Sequence, residues 1–315
     1  MAQPGPVERV LLIRYNELMK RLAILAALLG AALPLFPQTK VRFDESSRIV
    51  FSSDMGAGNT DLYLLTRGRL VRLTSDPGVD EWPVPDGKGE NLVFTSNRAG
   101  GNDLYLLNLD SGQTRRLTSD PRDEVSPSWS ADGRFVYYDL ETGRNKWKTM
   151  KVELRTGVTG PLFPDPPFSS TIVPFSNSAG TEVFFTGKVF LGWLVAKYDL
   201  ASGRFSELTK KGSCRPKPSP DGNKVAYVCH DEDGLGDVYI MNRDGSGKTN
   251  ATASRGDTHD YYPCFSPGGD RIVFSSSPRS KGKNAYQLHI LDLKTGEVRN
   301  ILTSPGNDSF PYWFD

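Results

Sequence analysis

The sequence predicts an all-β fold, a six-bladed β-propeller with four antiparallel strands per blade, because three columns of residues share one period. The first column is turn glycine: Gly68, Gly112, Gly157, Gly203, Gly247 and Gly296. The second is proline: Pro83, Pro127, Pro174, Pro216, Pro263 and Pro311. The third is a run rich in Val, Ile, Phe and Tyr that starts at Ile49, Leu92, Phe135, Val183, Val225 and Ile272. Successive members lie about 45 residues apart, the length of one four-stranded blade.

One unit shows the order of elements. Trp82–Pro85 reads as a short first strand, followed by a turn at Asp86–Gly89 and a second strand at Leu92–Ser96. A polar loop leads to a third strand at Asp103–Asn108, and a turn at Asp110–Gly112 leads to Thr114–Thr118. Asp and Gly in the first and third connections suit tight hairpins, whose backbone needs positive φ.

The ends of the repeat predict how the ring closes. The first unit begins near Val41 with its second strand, and its first strand is missing. Residues Ser309 to Phe314 read as a first strand without successors. The C-terminal strand is therefore expected to complete the N-terminal blade, giving one propeller over residues 41–315 and removing the free ends of the blade series.

Residues 1–40 read as an address label. The unbroken apolar stretch Leu22–Leu33 follows Lys20 and Arg21. A spanning helix needs about 20 apolar residues, and a shorter run behind positive charge is the layout of a secretory signal. Met19 is a candidate true start, and an uncleaved anchoring segment is the alternative. No stable membrane span is expected in the mature chain.

The recurring text resembles the TolB-type propeller repeat: Asp103-Leu-Tyr-Leu-Leu107, Arg115-Arg-Leu-Thr-Ser-Asp-Pro121, Asp123-Glu-Val-Ser-Pro-Ser-Trp-Ser-Ala-Asp-Gly133 and Ser219-Pro-Asp-Gly222. The match is strong in units one, two, five and six and weaker in three and four. The resemblance implies a six-bladed propeller exported to the bacterial periplasm. TolB itself carries an α/β domain ahead of its propeller. Only a few residues separate the apolar run from Val41, so that domain is not expected here, which puts a Tol–Pal partnership in doubt.

Composition narrows the function classes. The net charge of +1, from 38 Lys+Arg against 37 Asp+Glu, lacks the basic excess of a nucleic-acid binder. No nucleophile elbow of the Gly-x-Ser-x-Gly type occurs, and no catalytic residue is assigned. His230, His259 and His289 share no metal-ligand spacing and read as surface or packed histidines. Among the cysteines, counting outward from the turn Pro220–Asn223 sets Cys214 opposite Cys229. A two-residue turn would then allow a disulfide, with two packed thiols as the alternative. Cys264 would be a lone buried thiol.

Three residues ahead of each proline stand Asp80, Glu124, Thr171, Ser213, Asp260 and Asp308. In a propeller the first strands line the channel, so ring geometry would gather these carboxylates and hydroxyls at one mouth. Asp123 stands one place further out, and Trp82, Tyr261, Tyr262 and Phe310 lie beside the acids. A mixed acidic and aromatic mouth predicts a non-catalytic protein-binding module or scaffold, with another envelope protein or peptide as partner. Two alternatives stay open. One is a periplasmic lyase or hydrolase acting on carbohydrate in the channel. The other is a Ca²⁺ site built from Asp80, Glu124, Asp260 and Asp308, since Ca²⁺ takes oxygen ligands. The same residues also suit side-chain turns to backbone N–H groups, a structural role.

Overall fold

Strand residues alternate faces, so Ile49 and Phe51 enter one interface while Val50 between them enters the next. Both faces are apolar because each sheet is packed between two others. The computed structural model describes residues 38–315 except 57, 231–233 and 254–255. The segment read as a signal, with Met19, lies outside the described residues. Among the described residues no helix is long and apolar enough to cross a membrane.

Six antiparallel sheets form the ring. Blade 1 pairs Ser309–Phe314, Arg48–Ser53, Asp61–Thr66 and Arg69–Arg72, and blade 2 follows with Asp80–Pro85, Asn91–Ser96, Asp103–Asn108 and Thr114–Arg116. Blade 3 opens on Glu124–Trp129, blade 4 on Ser170–Ser176, blade 5 on Ser213–Pro218 and blade 6 on Thr258–Phe265. The predicted closure is present: Arg48 pairs with Phe314 and Ile49 with Trp313. Trp313 donates its indole N–H to Ser47 Oγ at 2.9 Å and packs edge-on against Phe43. The second strand of blade 1 starts at Arg48, later than expected. Lys40–Val41 instead pairs with Leu302 and Thr303 as a fifth, outermost strand of blade 6. The ring is thus closed at its inner and its outer edge.

A repeated aspartate at the third strand is structural. Asp61 pairs with Arg72, Asp103 with Arg116 at 2.8 Å, and Asp237 accepts from Asn250 at 2.7 Å, each tying the third strand to the fourth.

Every first strand carries a bulge. The residue before each proline has positive φ: Trp82, Ser126, Val173, Arg215, Tyr262 and Phe310, between 54° and 58°. In all six blades the pairing of first and second strands shifts around this point. A left-handed conformation costs a non-glycine residue about 1–2 kcal/mol. Two features offset that cost. Proline has no N–H to lose from the ladder. In blades 4 and 5 the bulge amide also finds a partner in the preceding blade: Val173 N donates to Asp139 Oδ2 at 2.7 Å, and Arg215 N to Thr186 Oγ1 at 2.9 Å.

The bulge corrects the cysteine pairing. Near the hairpin the expected register holds, with Pro218 opposite Val225 and Lys217 opposite Ala226. Past Arg215 and Pro216 it slips by one, so Ser213 faces Cys229 and Cys214 faces Val228. Adjacent positions on a strand point to opposite faces, so Cys214 and Cys229 do not meet. None of the three cysteines is joined in a disulfide, and Cys214 and Cys264 are buried.

Candidate binding funnel on the ring axis

The bulges break strict alternation, so consecutive residues of a first strand reach the axis. Trp82, Phe310 and Tyr262 meet there, with ring centroids 4.0 Å apart for Trp82–Phe310 and 4.3 Å for Tyr262–Phe310. They plug the channel and leave a throat of about 40 Å³. On one side opens a funnel of about 840 Å³, lined by Glu81, Trp193, Arg215, His230, Tyr261, Tyr262 and Tyr286. On the other lies a cavity of about 900 Å³ that includes Trp129, Phe175, Lys217 and Tyr312.

The acid column is not at this mouth. Asp80, Asp260 and Asp308 are 0% exposed and Glu124 is 1% exposed. Their side chains are buried against their own blades and the adjoining connections. Arg98 Nη2 grips Asp80 at 2.8 and 2.9 Å. Ser53 and Ser304 donate to Asp308 at 2.6 and 2.9 Å, and Ser276 to Asp260 at 2.5 Å. Glu124 accepts from the Asp120 N–H at 3.2 Å, and Thr171 Oγ1 from the Thr149 N–H at 2.9 Å. Asp123 accepts from the Asn102 N–H at 3.1 Å. The structural role is the one they fill. Among the described residues no group of three His, Cys, Asp or Glu side chains is placed to hold a metal ion, so the expected Ca²⁺ set does not assemble. Burial holds the Glu124 carboxyl above its ordinary value and pushes Asp308 up to about 8.

The funnel's own polar groups sit one or two places further along the same strands. Glu81 is half-buried, and burial raises its pKa. Arg215 lies beside the faces of Tyr262 and Tyr261, 5.0 and 5.5 Å from their ring centres. Its Nη1 donates to Cys214 Sγ at 3.3 Å, and its Nε is buried with no hydrogen-bond partner. His230 closes the second strand of blade 5. Its Nδ1 meets the Gly212 carbonyl at 3.1 Å and its Nε2 the Tyr261 hydroxyl, tying blade 5 to blade 6. Two positions past Arg215, Lys217 inserts between Phe175 and Tyr312, and burial lowers its pKa to about 7.

At the funnel's rim the second and third strands of blade 4 meet in a two-residue tip, Phe190–Leu191. These side chains are 101% and 68% exposed, and Leu191 also lines the funnel.

Of the residues expected at the mouth, Tyr261 lines the funnel, Phe310 lines funnel and throat, and Trp82 lines the throat. Sequence reasoning passed over Glu81, Arg215, Lys217 and His230. Reading the position just before each proline would have found Arg215 beside Trp82, Tyr262 and Phe310.

A closed ring of six four-stranded blades around an aromatic channel defines a six-bladed propeller with a funnel-shaped pocket on its axis. The propeller is TolB-like. No family model matches the chain. It is 25% identical over 232 residues to the Tol-Pal system protein TolB of Francisella tularensis subsp. tularensis, covering 70% of this chain and 52% of that protein. The chain thus spans about half the length of the curated relatives it matches. Among solved structures it resembles TolB from Acinetobacter baumannii, with a TM-score of 0.74 and 20% identity over 87% of this chain and 68% of that one. An oligogalacturonate lyase from Vibrio parahaemolyticus shares the fold at a TM-score of 0.52 and 17% identity, over 83% of this chain and 75% of that one.

Proposed function

We propose that the chain is a non-catalytic protein-binding propeller of the bacterial periplasm, and that another envelope protein or peptide docks on the funnel face. The apolar tip carries this reading. Two adjacent large apolar side chains stand in water at Phe190 and Leu191, beside a funnel walled by tyrosine and tryptophan. Exposed apolar surface next to a concave aromatic site is what a protein contact uses. Tyr and Trp contribute large contact area and a polar group in one side chain. The likeness to TolB proteins, one of them titled a Tol-Pal system protein, supports an envelope partner.

The test is capture from bacterial envelope extract by the wild type and by a Phe190→Ser, Leu191→Ser variant. Both positions are exposed, so the variant should melt at the wild-type temperature. A partner held by the wild type and lost by the variant supports docking on the funnel face. Equal capture by both moves the contact elsewhere.

A further inference from the structure

We infer that Arg215 receives the C-terminal carboxylate of a partner polypeptide whose last residues enter the funnel. The inference rests on reading this face as a protein-binding surface. It begins with a charge lacking a counter-charge. Guanidinium is always ionised in proteins and carries five N–H donors. In the described structure Arg215 uses one, toward a thiol, and no carboxylate lies within ion-pair distance. Glu81 shares the funnel, and burial raises its pKa.

The shape selects the end of a chain. The funnel narrows onto Trp82, Phe310 and Tyr262, and the throat of about 40 Å³ beyond them is too small for a polypeptide to thread, so a chain enters the funnel by a terminus. The charge selects which terminus. Arg215 repels an amino end and matches a planar carboxylate, whose two oxygens suit the guanidinium fork. The walls select what precedes the carboxylate. Trp193 and Leu191 line the funnel with apolar surface for a side chain, and Glu81 can accept the N–H donors of an incoming backbone. A multiply charged anion is disfavoured, because Glu81 opposes the second charge.

The test exposes the immobilised full chain to two mixed-sequence N-acetylated pentapeptide pools. One pool ends in the free acid and the other in the amide. Retained peptide is read by mass spectrometry for the wild type, Arg215→Gln and Arg215→Lys. The wild type should retain the acid pool at least 10-fold over the amide pool. Arg215→Gln should lose that preference, and Arg215→Lys, which keeps the charge but not the fork, should keep part of it. A thermal melt of each variant establishes that it is folded. Equal retention of acid and amide, or a preference that survives Arg215→Gln, overturns the inference. Equal retention would leave the docking face in place. Retention of neither pool, with a partner still captured from extract, defeats the carboxylate alone. Acid-selective retention with no partner captured defeats the proposed function alone.

Discussion

Lys217 holds its ammonium nitrogen 3.6 Å from the ring centre of Tyr312. Phe175 covers the other side at 3.5 Å, so the lysine joins the inner strands of blades 4, 5 and 1 across the channel. The ring faces favour the charged amine. Burial disfavours it more and sets the pKa near 7. Between that value and the unfolded value, about 10.4, the unfolded chain binds the extra proton. This group therefore lets stability rise as pH climbs through that window. Lys217→Met keeps the stem and removes the titration. Its melting temperature relative to wild type should be higher at pH 6 than at pH 10 by about 10 °C, on the order of 4 kcal/mol. Thermal scans at the two pH values measure it, and a constant difference would contradict it.

Asp308 works in the opposite sense. Burial lifts its carboxyl to about 8, above the unfolded value of about 3.9. Between the two values the native state keeps a proton that the unfolded chain has lost, so this group's contribution declines as pH rises from 4 to 8. Asp308→Asn is neutral throughout. Its melting temperature should gain on the wild type steadily from pH 4 to pH 8. A gap independent of pH would show that Asp308 is ionised in the folded ring.

Arg98 carries the Asp80 carboxylate and also reaches Asp76 at 2.9 Å. Removing one partner of a buried pair strands the other charge. Arg98→Ala should cost about 3 kcal/mol, measured by urea unfolding. Asp80→Asn should also lower stability while leaving partner capture by the folded protein intact, because Asp80 does not reach the funnel.

The thiols give a direct check on register. Under denaturing, non-reducing conditions a thiol reagent should titrate all three cysteines. Reducing agent should leave the melting temperature unchanged. A Cys214–Cys229 bond would lower the thiol count to one and make the melt sensitive to reduction.

The ring, the blade order and the closing strand were legible because they repeat. A period survives weak matches in single units, as in blades 3 and 4. The bulge was not legible, since left-handed backbone is usually marked by glycine, and here Trp82, Ser126, Val173, Arg215, Tyr262 and Phe310 adopt it. Missing it had two consequences. It paired Cys214 with Cys229, and it hid that Arg215, at the bulge, lines the axial funnel while the acids two places before the bulge are buried. Phe190, Leu191 and Tyr286 escaped for another reason. They lie in connections between second and third strands, which differ from blade to blade, so no column points to them.

The closing strand also fixes an order in time. Arg48 is made long before its partner Phe314. Until residues 309–314 emerge, blade 1 is a three-stranded sheet whose inner edge has no partner, and Trp313 is missing from the apolar cluster it shares with blade 6. Blades 2 to 6 can form as they are synthesised, whereas the contact spanning the longest loop must wait. The nascent ring is therefore an open arc with one unsatisfied strand edge, and the step that covers this edge is the same step that brings Phe310 to Trp82 and completes the floor of the funnel.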